Sequence, residues 1–349
     1  MKTWKLLREK PKLFKRYFVK EYIIKAIREF FEELNFHELE SPILTCTLPQ
    51  ERYLDVLSTT ITFRKNKKYK AYLIPSTESF NKKMLVAGLG NHFVVTKVFR
   101  DLEEVSSHHI PEFTMLEWYT VGKNYFDLMT TTEKLIIFIK KFLDKKFGRE
   151  QNLNLIYQGQ KINLKSPWYR FSVSELFEKF LKRELRSVLN INAFKELGKN
   201  LDLNIDKNDD WQSIFERIFA IHIEPNLPKE KPVFVYDYPK ILCPLTKEKK
   251  TDPDFCEKVE LYFLGKEIGN GYTELTDPKE QKRRFLEEKE ARKKLRKEEI
   301  KFDHDLIEAL KLGIPEVAGI GIGIDRLAMI FANTKNISDV NYFPLTEEI

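Results

Sequence analysis

The chain has 349 residues, 42% hydrophobic and 32% charged, enough apolar material for one large domain or two small ones. Its 60 Lys plus Arg against 53 Asp plus Glu leave a net charge of +7, which fits an acidic partner without naming one. No apolar run reaches about eighteen residues, the N-terminus lacks a secretory signal's apolar core, and Cys46, Cys243 and Cys256 show no CxxC spacing; a cytoplasmic protein with no membrane partner, disulfide framework or zinc knuckle is expected.

Ile23, Ile27, Phe30, Phe31 and Leu34 recur at helical spacing, which predicts an amphipathic helix over residues 17 to 35 ending at Asn35. Phe36 to Leu44 reads as a strand, and Pro42 confines it to an edge or an interface. Tyr53 to Phe63 and Tyr69 to Ile74 are strand-like, and the basic run Lys65-Asn-Lys-Lys68 between them reads as a solvated turn. Phe93 to Arg100 and Glu112 to Val121 are two strands joined by a polar loop, residues 101 to 111, of a length common among functional loops. Residues 126 to 147 and 172 to 222 are helical in pattern, Pro232 to Tyr236 and Lys258 to Phe263 are strands, and residues 278 to 300 and 304 to 312 are helices. Strands flanking a helical block predict one α+β domain over residues 1 to 349, an antiparallel sheet with helices around it, with a helical insertion at about 122 to 225.

Near the C-terminus Gly319, Gly321 and Gly323 alternate with Ile320, Ile322 and Ile324, so one strand face buries isoleucine and the other carries no side chains. A bare face lets a ligand lie against the backbone, though it equally admits a neighbouring helix. Asp325-Arg326 follows, then Leu327, Ile330 and Phe331 at helical spacing, which sets Arg326 at a strand-to-helix junction where a guanidinium can meet a phosphate or a flat ring. Period-2 alternation places Phe113, Met115, Glu117 and Tyr119 on one face, with Arg100 ending the opposite strand; an ordinary half-buried hairpin has the same pattern. If Leu264-Gly265 is a two-residue turn, Tyr262 faces Glu267 and Glu260 is its diagonal neighbour. Two such carboxylates form either a solvated acidic hairpin or a pair neutralised by nucleotide-bound Mg²⁺. Asn270 and Glu274 fall on the opposite parity from Glu267, so a shared site requires a bulge near Gly269-Asn-Gly271.

Together the helix with Phe36 to Pro42, the stretch Phe99-Arg100 through Pro111-Glu-Phe-Thr-Met-Leu-Glu-Trp-Tyr119, and Gly321 to Arg326 resemble the three motifs of class II aminoacyl-tRNA synthetases, in order and over about residues 17 to 345. Glu267-Ile-Gly-Asn-Gly-Tyr-Thr-Glu-Leu-Thr-Asp277 is similar to the lysine pocket of the lysyl branch. Only about 16 residues precede the first helix, so no anticodon-binding domain is expected. The resemblance, including Ile223 to Tyr236, is then nearer the truncated ligases that attach lysine or β-lysine to a lysine of elongation factor P; transfer to tRNA, or an inactive binding module, are the alternatives.

The resemblance implies ATP and Mg²⁺, with Arg100 and Arg326 catalytic. Arg100, Glu103 (or Glu104), His109, Phe113, Glu260, Leu261, Gly323 and Arg326 would contact ATP, and Glu260 and Glu267 would hold the metal. Ser76, Glu78, Glu117, Tyr119, Glu267, Asn270, Glu274 and Gly321 would contact lysine, Glu78 taking the backbone amine and Glu274 the side-chain ammonium. It also implies a homodimer through the first helix and Pro42 segment. Three departures stand out: Arg100-Asp-Leu-Glu103 where Arg-x-Glu is usual, Ile110 where asparagine is usual, and Gly321 where elongation-factor ligases often carry alanine, which leaves α-lysine and β-lysine both open.

Overall fold

A computed structural model of the protein describes residues 2–101 and 106–347. Thr3–Glu9 (α1) precedes the long helix Phe14–Glu33 (α2), which buries Ile23, Ile27 and Phe31 and stops just before Asn35 turns left-handed. Phe36 to Leu44 is not one strand. His37–Glu38 (β1) and Leu44–Thr45 (β2) belong to different sheets, and Pro42 lies between them, where its missing N–H interrupts no ladder. Ser58–Thr62 (β3) and Lys68–Leu73 (β4) complete a small sheet in the order β2-β4-β3. Next come Glu78–Val86 (α3), His92–Phe99 (β5), Glu112–Val121 (β6) and Tyr125–Lys146 (α4), the last started by an Asn124–Asp127 capping box.

Asn154–Tyr157 (β7) and Gln160–Asn163 (β8) pair as a hairpin before Tyr169–Ser172 (β9). The helical pattern of 172 to 222 is realised in pieces, Val173–Leu176 (α5), Ile191–Asn200 (α6) and Trp211–Ile218 (α7), interrupted where Lys182 and Asp202 adopt positive φ. Val233–Pro239 (β10), Glu248–Lys249 (β11), Asp252–Phe263 (β12) and Lys266–Thr273 (β13) follow. Pro278–Lys294 (α8) ends before left-handed Arg296 rather than running to residue 300, and His304–Lys311 (α9), Val317–Gly323 (β14) and Ile324–Phe331 (α10) close the fold.

The main sheet runs β1-β5-β6-β14-β13-β12-β10-β9, with β11 beside β12; its pairs are antiparallel except β1 with β5 and β9 with β10. One face carries Leu116, Trp118, Ile320 and Ile322 into a core built with α2, α4 and α10. The other face is the floor of a cavity. Residues 173 to 223 make a second core against β10 and β12, in which Trp211 stacks on Phe194 at 4.2 Å and on Phe215 at 5.3 Å. From Gly319 to Gly323 the alternation on β14 is therefore glycine against isoleucine: its cavity side is hydrogen, and its core side is isoleucine.

Within β13, Leu261 pairs with Gly269 but Tyr262 pairs with Glu267, so Ile268 is an extra residue. The bulge falls one position before the Gly269–Gly271 segment, and Ile268 is buried in the main core. By this kink Glu267, Asn270, Tyr272 and Glu274 all reach the same cavity.

Packing across β13 and β14 leaves unequal room at their glycines. A Cβ on Gly271 would lie 2.5 Å from Ile320 Cβ and 2.8 Å from the Gly319 carbonyl oxygen, whereas one on Gly323 would meet only the Ile268 carbonyl at 3.9 Å. Gly271→Ala is expected to cost about 1–3 kcal/mol through overpacking, and Gly323→Ala close to nothing, as read from the midpoints of urea denaturation.

Candidate active site

The cavity, about 450 Å³, lies on the exposed-backbone face of β6, β14 and β13 and divides into an acidic and a basic end. Acidity begins with strand parity, which aims Glu117 of β6 and Glu274, just after β13, over the glycines of β14. Gly319 is required there: its Cβ would sit 2.5 Å from the Tyr119 ring and 2.9 Å from a Glu274 oxygen. Glu78, at the start of α3, supplies a third carboxylate.

One buried cation ties the acidic end together. Lys82, one helical turn after Glu78, is 0% exposed and places Nζ 2.5 Å from Glu78 Oε1 and 2.7 Å from Glu274 Oε2. Tyr272 donates its hydroxyl to Glu78 Oε2 at 2.6 Å. Glu117 accepts the Thr77 N–H at 2.9 Å, with the Asn81 amide and Tyr119 hydroxyl each at 3.3 Å. Burial pulls Lys82 down, but Glu274 and Glu78 outweigh it and hold its ammonium above the ordinary value. Burial together with Glu78 pushes Glu274 up to about 8 despite Lys82, and burial likewise raises Glu117. Removing Lys82 would leave buried carboxylates unpaired, a loss on the order of 3–5 kcal/mol.

At the basic end Arg100 follows β5 and lies over the Phe113 ring at 5.5 Å. Arg326 leaves the first turn of α10 and donates to the backbone carbonyls of Glu267 at 2.9 Å and His108 at 3.2 Å. Its position is fixed by Asp325, which accepts from Lys20 of α2 and from the Thr114 N–H of β6, both at 2.6 Å. Glu260 and Glu267 sit between the two ends. Partial burial opposes charge on Glu260, yet Lys258 at 2.8 Å and the hydroxyls of Tyr238 at 2.5 Å and Tyr262 at 2.6 Å keep its carboxyl below the usual value. Glu267 is pushed up by burial and by Glu260 beside it. Such a pair, one member charged and the other resisting charge, suits a cation shared with a polyphosphate. Among the described residues no group of three metal-ligating side chains exists, so the remaining donors would have to come from ligand and water.

A glycine floor with carboxylates at one end and strand-end arginines at the other agrees with the family comparison. Residues 3–347 match the family model for tRNA synthetases class II (D, K and N). The chain belongs to the class II tRNA synthetase family. It is 35% identical over 336 residues to a lysine–tRNA ligase of Carboxydothermus hydrogenoformans, covering 96% of this chain and 66% of that protein. It is 36% identical over 323 residues to that of Wigglesworthia glossinidia brevipalpis, covering 92% of this chain and 63% of the relative. The chain thus spans just under two thirds of the length of these relatives.

On this class II framework, Ser76, Glu78, Arg100, His109, Phe113, Glu117, Tyr119, Glu260, Glu267, Asn270, Glu274, Gly321, Gly323 and Arg326 all line the one cavity. Leu261 does not. It has the opposite strand parity, its side chain is in the main core, and its backbone pairs with Gly269 on one side and Phe234 on the other. Glu103 and Glu104 lie outside the described residues. Lys82, Tyr272, Lys258 and Asp325 were not singled out from the sequence. Spacing held a signal for two of them, since Lys82 is i+4 from Glu78 on a helix and Lys258 is two residues before Glu260 on a strand. Among the described residues, no helix is long and apolar enough to cross a membrane.

Glu274 gives this pocket a pH signature. An acid whose folded pKa is raised, here from 4.5 to about 8, opposes folding once it ionises, so its contribution falls as pH rises from about 4.5 to about 8 and is constant above. Glu274→Gln is therefore expected to gain stability over the parent progressively across that window. Urea denaturation at a series of pH values checks it; a difference that does not change with pH would contradict the raised carboxyl.

Proposed function

We propose that the chain activates lysine or β-lysine with ATP as an aminoacyl-adenylate in this cavity and transfers it to an acceptor. The observation that carries the reading is the charge count at the acidic end, where Glu78 and Glu274 hold the single ammonium of Lys82 and Glu117 lies close enough to both to feel their charge. Once an incoming ammonium draws the proton off Glu274, three carboxylates and one internal cation leave room for two ammonium groups, the number a diamino acid brings. Glu78 would take the backbone amine and Glu274, with Glu117 and Tyr119, the side-chain ammonium; Ser76, Asn270 and Gly321 complete the wall. The buried Asn270 Oδ1 has no hydrogen-bond partner among the described residues, as a group awaiting a ligand would have none.

The substrate carboxylate is already a nucleophile at neutral pH, so the chemistry needs positioning and charge neutralisation rather than a general base. A carboxylate oxygen attacks the α-phosphorus, the bond to the bridging oxygen breaks, and pyrophosphate leaves; the acceptor then attacks the carbonyl carbon and AMP leaves. Arg100 would neutralise the α-phosphate and orient the carboxylate, with Arg326 on the outer phosphates and Phe113 against the adenine ring. His109 and Gly323 would add contacts to the nucleotide. Mg²⁺, held by Glu260 and Glu267, would neutralise phosphate charge. The adenine-contacting acid in this reading is Glu103 or Glu104.

Two acceptors are supported by different observations. Ile223 to Tyr236 resembles ligases that modify a lysine of elongation factor P, while the relatives' names point to tRNA. Lysine-dependent exchange of pyrophosphate into ATP is expected for the parent, with Arg100→Ala and Glu274→Gln each lowering kcat/KM by about 100-fold, the order for one lost charged contact. A methyl on Gly321 would meet Met115 Sδ at 3.4 Å and Glu117 Cγ at 3.6 Å, so Gly321→Ala should keep exchange and shift the preference between α-lysine and β-lysine. No exchange with either isomer would sink the enzyme reading, and labelled lysine offered separately to elongation factor P and to bulk tRNA assigns the acceptor.

We further propose an isologous homodimer through α2 and the Pro42 segment. Sedimentation at micromolar concentration is expected to give the dimer mass; a monomer would refute it.

A further inference from the structure

The β3–β4 hairpin is a strongly basic, acid-free surface and has no role in the cavity chemistry. From Val56 to Thr77 no aspartate or glutamate occurs, while Arg64, Lys65, Lys67, Lys68 and Lys70 do. Residues 62 to 70 are all exposed, including two aromatic rings, Phe63 at 58% and Tyr69 at 47%, which meet edge to face at 5.5 Å. Among the described residues only Lys70 of the five basic side chains forms an ion pair, with Glu298 at 2.5 Å. Beside the hairpin runs a groove of about 640 Å³ in which Lys68, Tyr69 and Lys70 face Lys289, Lys301 and Phe302, its one acid, Glu299, being paired with Lys289 at 3.2 Å.

Both roots of the hairpin are at the cavity rim. Leu54, just before it, and Pro75, just after it, line the cavity. Strands of five and six residues hold the basic tip roughly 17 Å from that rim. A chain laid along the hairpin therefore runs toward the site where the adenylate would form.

We propose that this hairpin and its groove bind single-stranded RNA on its way to the cavity, the cations following phosphates and Phe63 and Tyr69 offering faces for bases. Its meaning as an acceptor track rests on the adenylate reading above. A block of cations flanked by two exposed rings on an acid-free strand pair is what a polyanion with flat bases requires. An acidic protein needs the cations but gives no reason for two exposed rings. A second copy of the chain is disfavoured, since a two-fold contact through this hairpin would face like charges against each other.

Fluorescence anisotropy with a short labelled oligouridylate tests the proposal, with poly-glutamate as a competitor of like charge. The parent should bind with an affinity that falls steeply with salt. Reversing Lys65, Lys67 and Lys68 together (K65E, K67E, K68E) should weaken binding at least ~10-fold and reduce the log–log salt slope by roughly 2, at about 0.7 per lost phosphate contact. Phe63→Ala with Tyr69→Ala should weaken it several-fold with the slope unchanged. Lysine-dependent pyrophosphate exchange should be the same in all variants, which excludes misfolding. No RNA binding by the parent, binding indifferent to these substitutions, or displacement of RNA by poly-glutamate at equal charge would overturn the proposal. Loss of exchange in the parent with RNA binding intact would instead remove the adenylate reading and leave the surface standing.

Discussion

The absence of side chains along one face of β14 is the constraint on which the site depends. Gly319 is paired with Tyr119 on one side and Tyr272 on the other, and a single methyl there would strike both the Tyr119 ring and Glu274. Because that volume is vacant, the side chains of the two flanking strands converge over the middle strand instead of standing parallel to it. The same strand uses its other face to bury Ile320 and Ile322 against α2 and α4. Floor and core are thus one element, so the site is positioned by the most tightly packed part of the molecule.

Convergence of carboxylates in one recessed cavity carries an electrostatic cost, and the two ends meet it differently. At the acidic end Lys82 compensates only in part, so Glu274 and Glu117 resist ionisation. Between the ends Glu260 is fully satisfied by Lys258 and two tyrosines, and it is Glu267 that carries the strain of proximity. At the other end Arg326 is held by two backbone carbonyls, contacts that do not cancel its charge, and Arg100 lies over the Phe113 ring. The field across the cavity therefore runs from a carboxylate cluster at one end to two guanidinium groups at the other.

Much of this was legible before the structure. Alternation on β6 and β14 gave the right faces because a strand's parity is set by the backbone alone, and the Leu264-Gly265 turn fixed the pairing of Tyr262 with Glu267. The need for a bulge in β13 followed from the parity conflict between Glu267 and Glu274. Its position did not, because Ile268 is extruded by packing into the main core rather than by glycine flexibility. Leu261, which the resemblance sets beside ATP, has its side chain turned into the main core by strand parity. Lys82 went unread because a lysine on a helix usually faces water, and what makes it internal is Glu274, far away in sequence. The strand expected over Phe36 to Leu44 failed at Pro42, where the chain crosses between two sheets.

Fixing Glu78 and Glu274 to one buried ammonium also determines how a diamino acid would be selected. Both carboxylates are pinned by Lys82, and Glu78 further by Tyr272, so neither can swing out to water when a poorer ligand enters. On the proposed reading, an apolar amino acid of similar length leaves a desolvated carboxylate without its second cation. A pocket that must pair a polar group rejects an analogue lacking it by roughly 10⁴–10⁵, against about 10–200 for a missing methylene in an apolar pocket. The raised carboxyl of Glu274 softens this: near pH 7 the empty pocket holds a proton there, and a neutral side chain meets an acid rather than a bare anion. Discrimination against apolar amino acids, read as the ratio of kcat/KM in pyrophosphate exchange, should accordingly sharpen as pH rises toward 8, because only then does an analogue lacking the second ammonium strand a full charge.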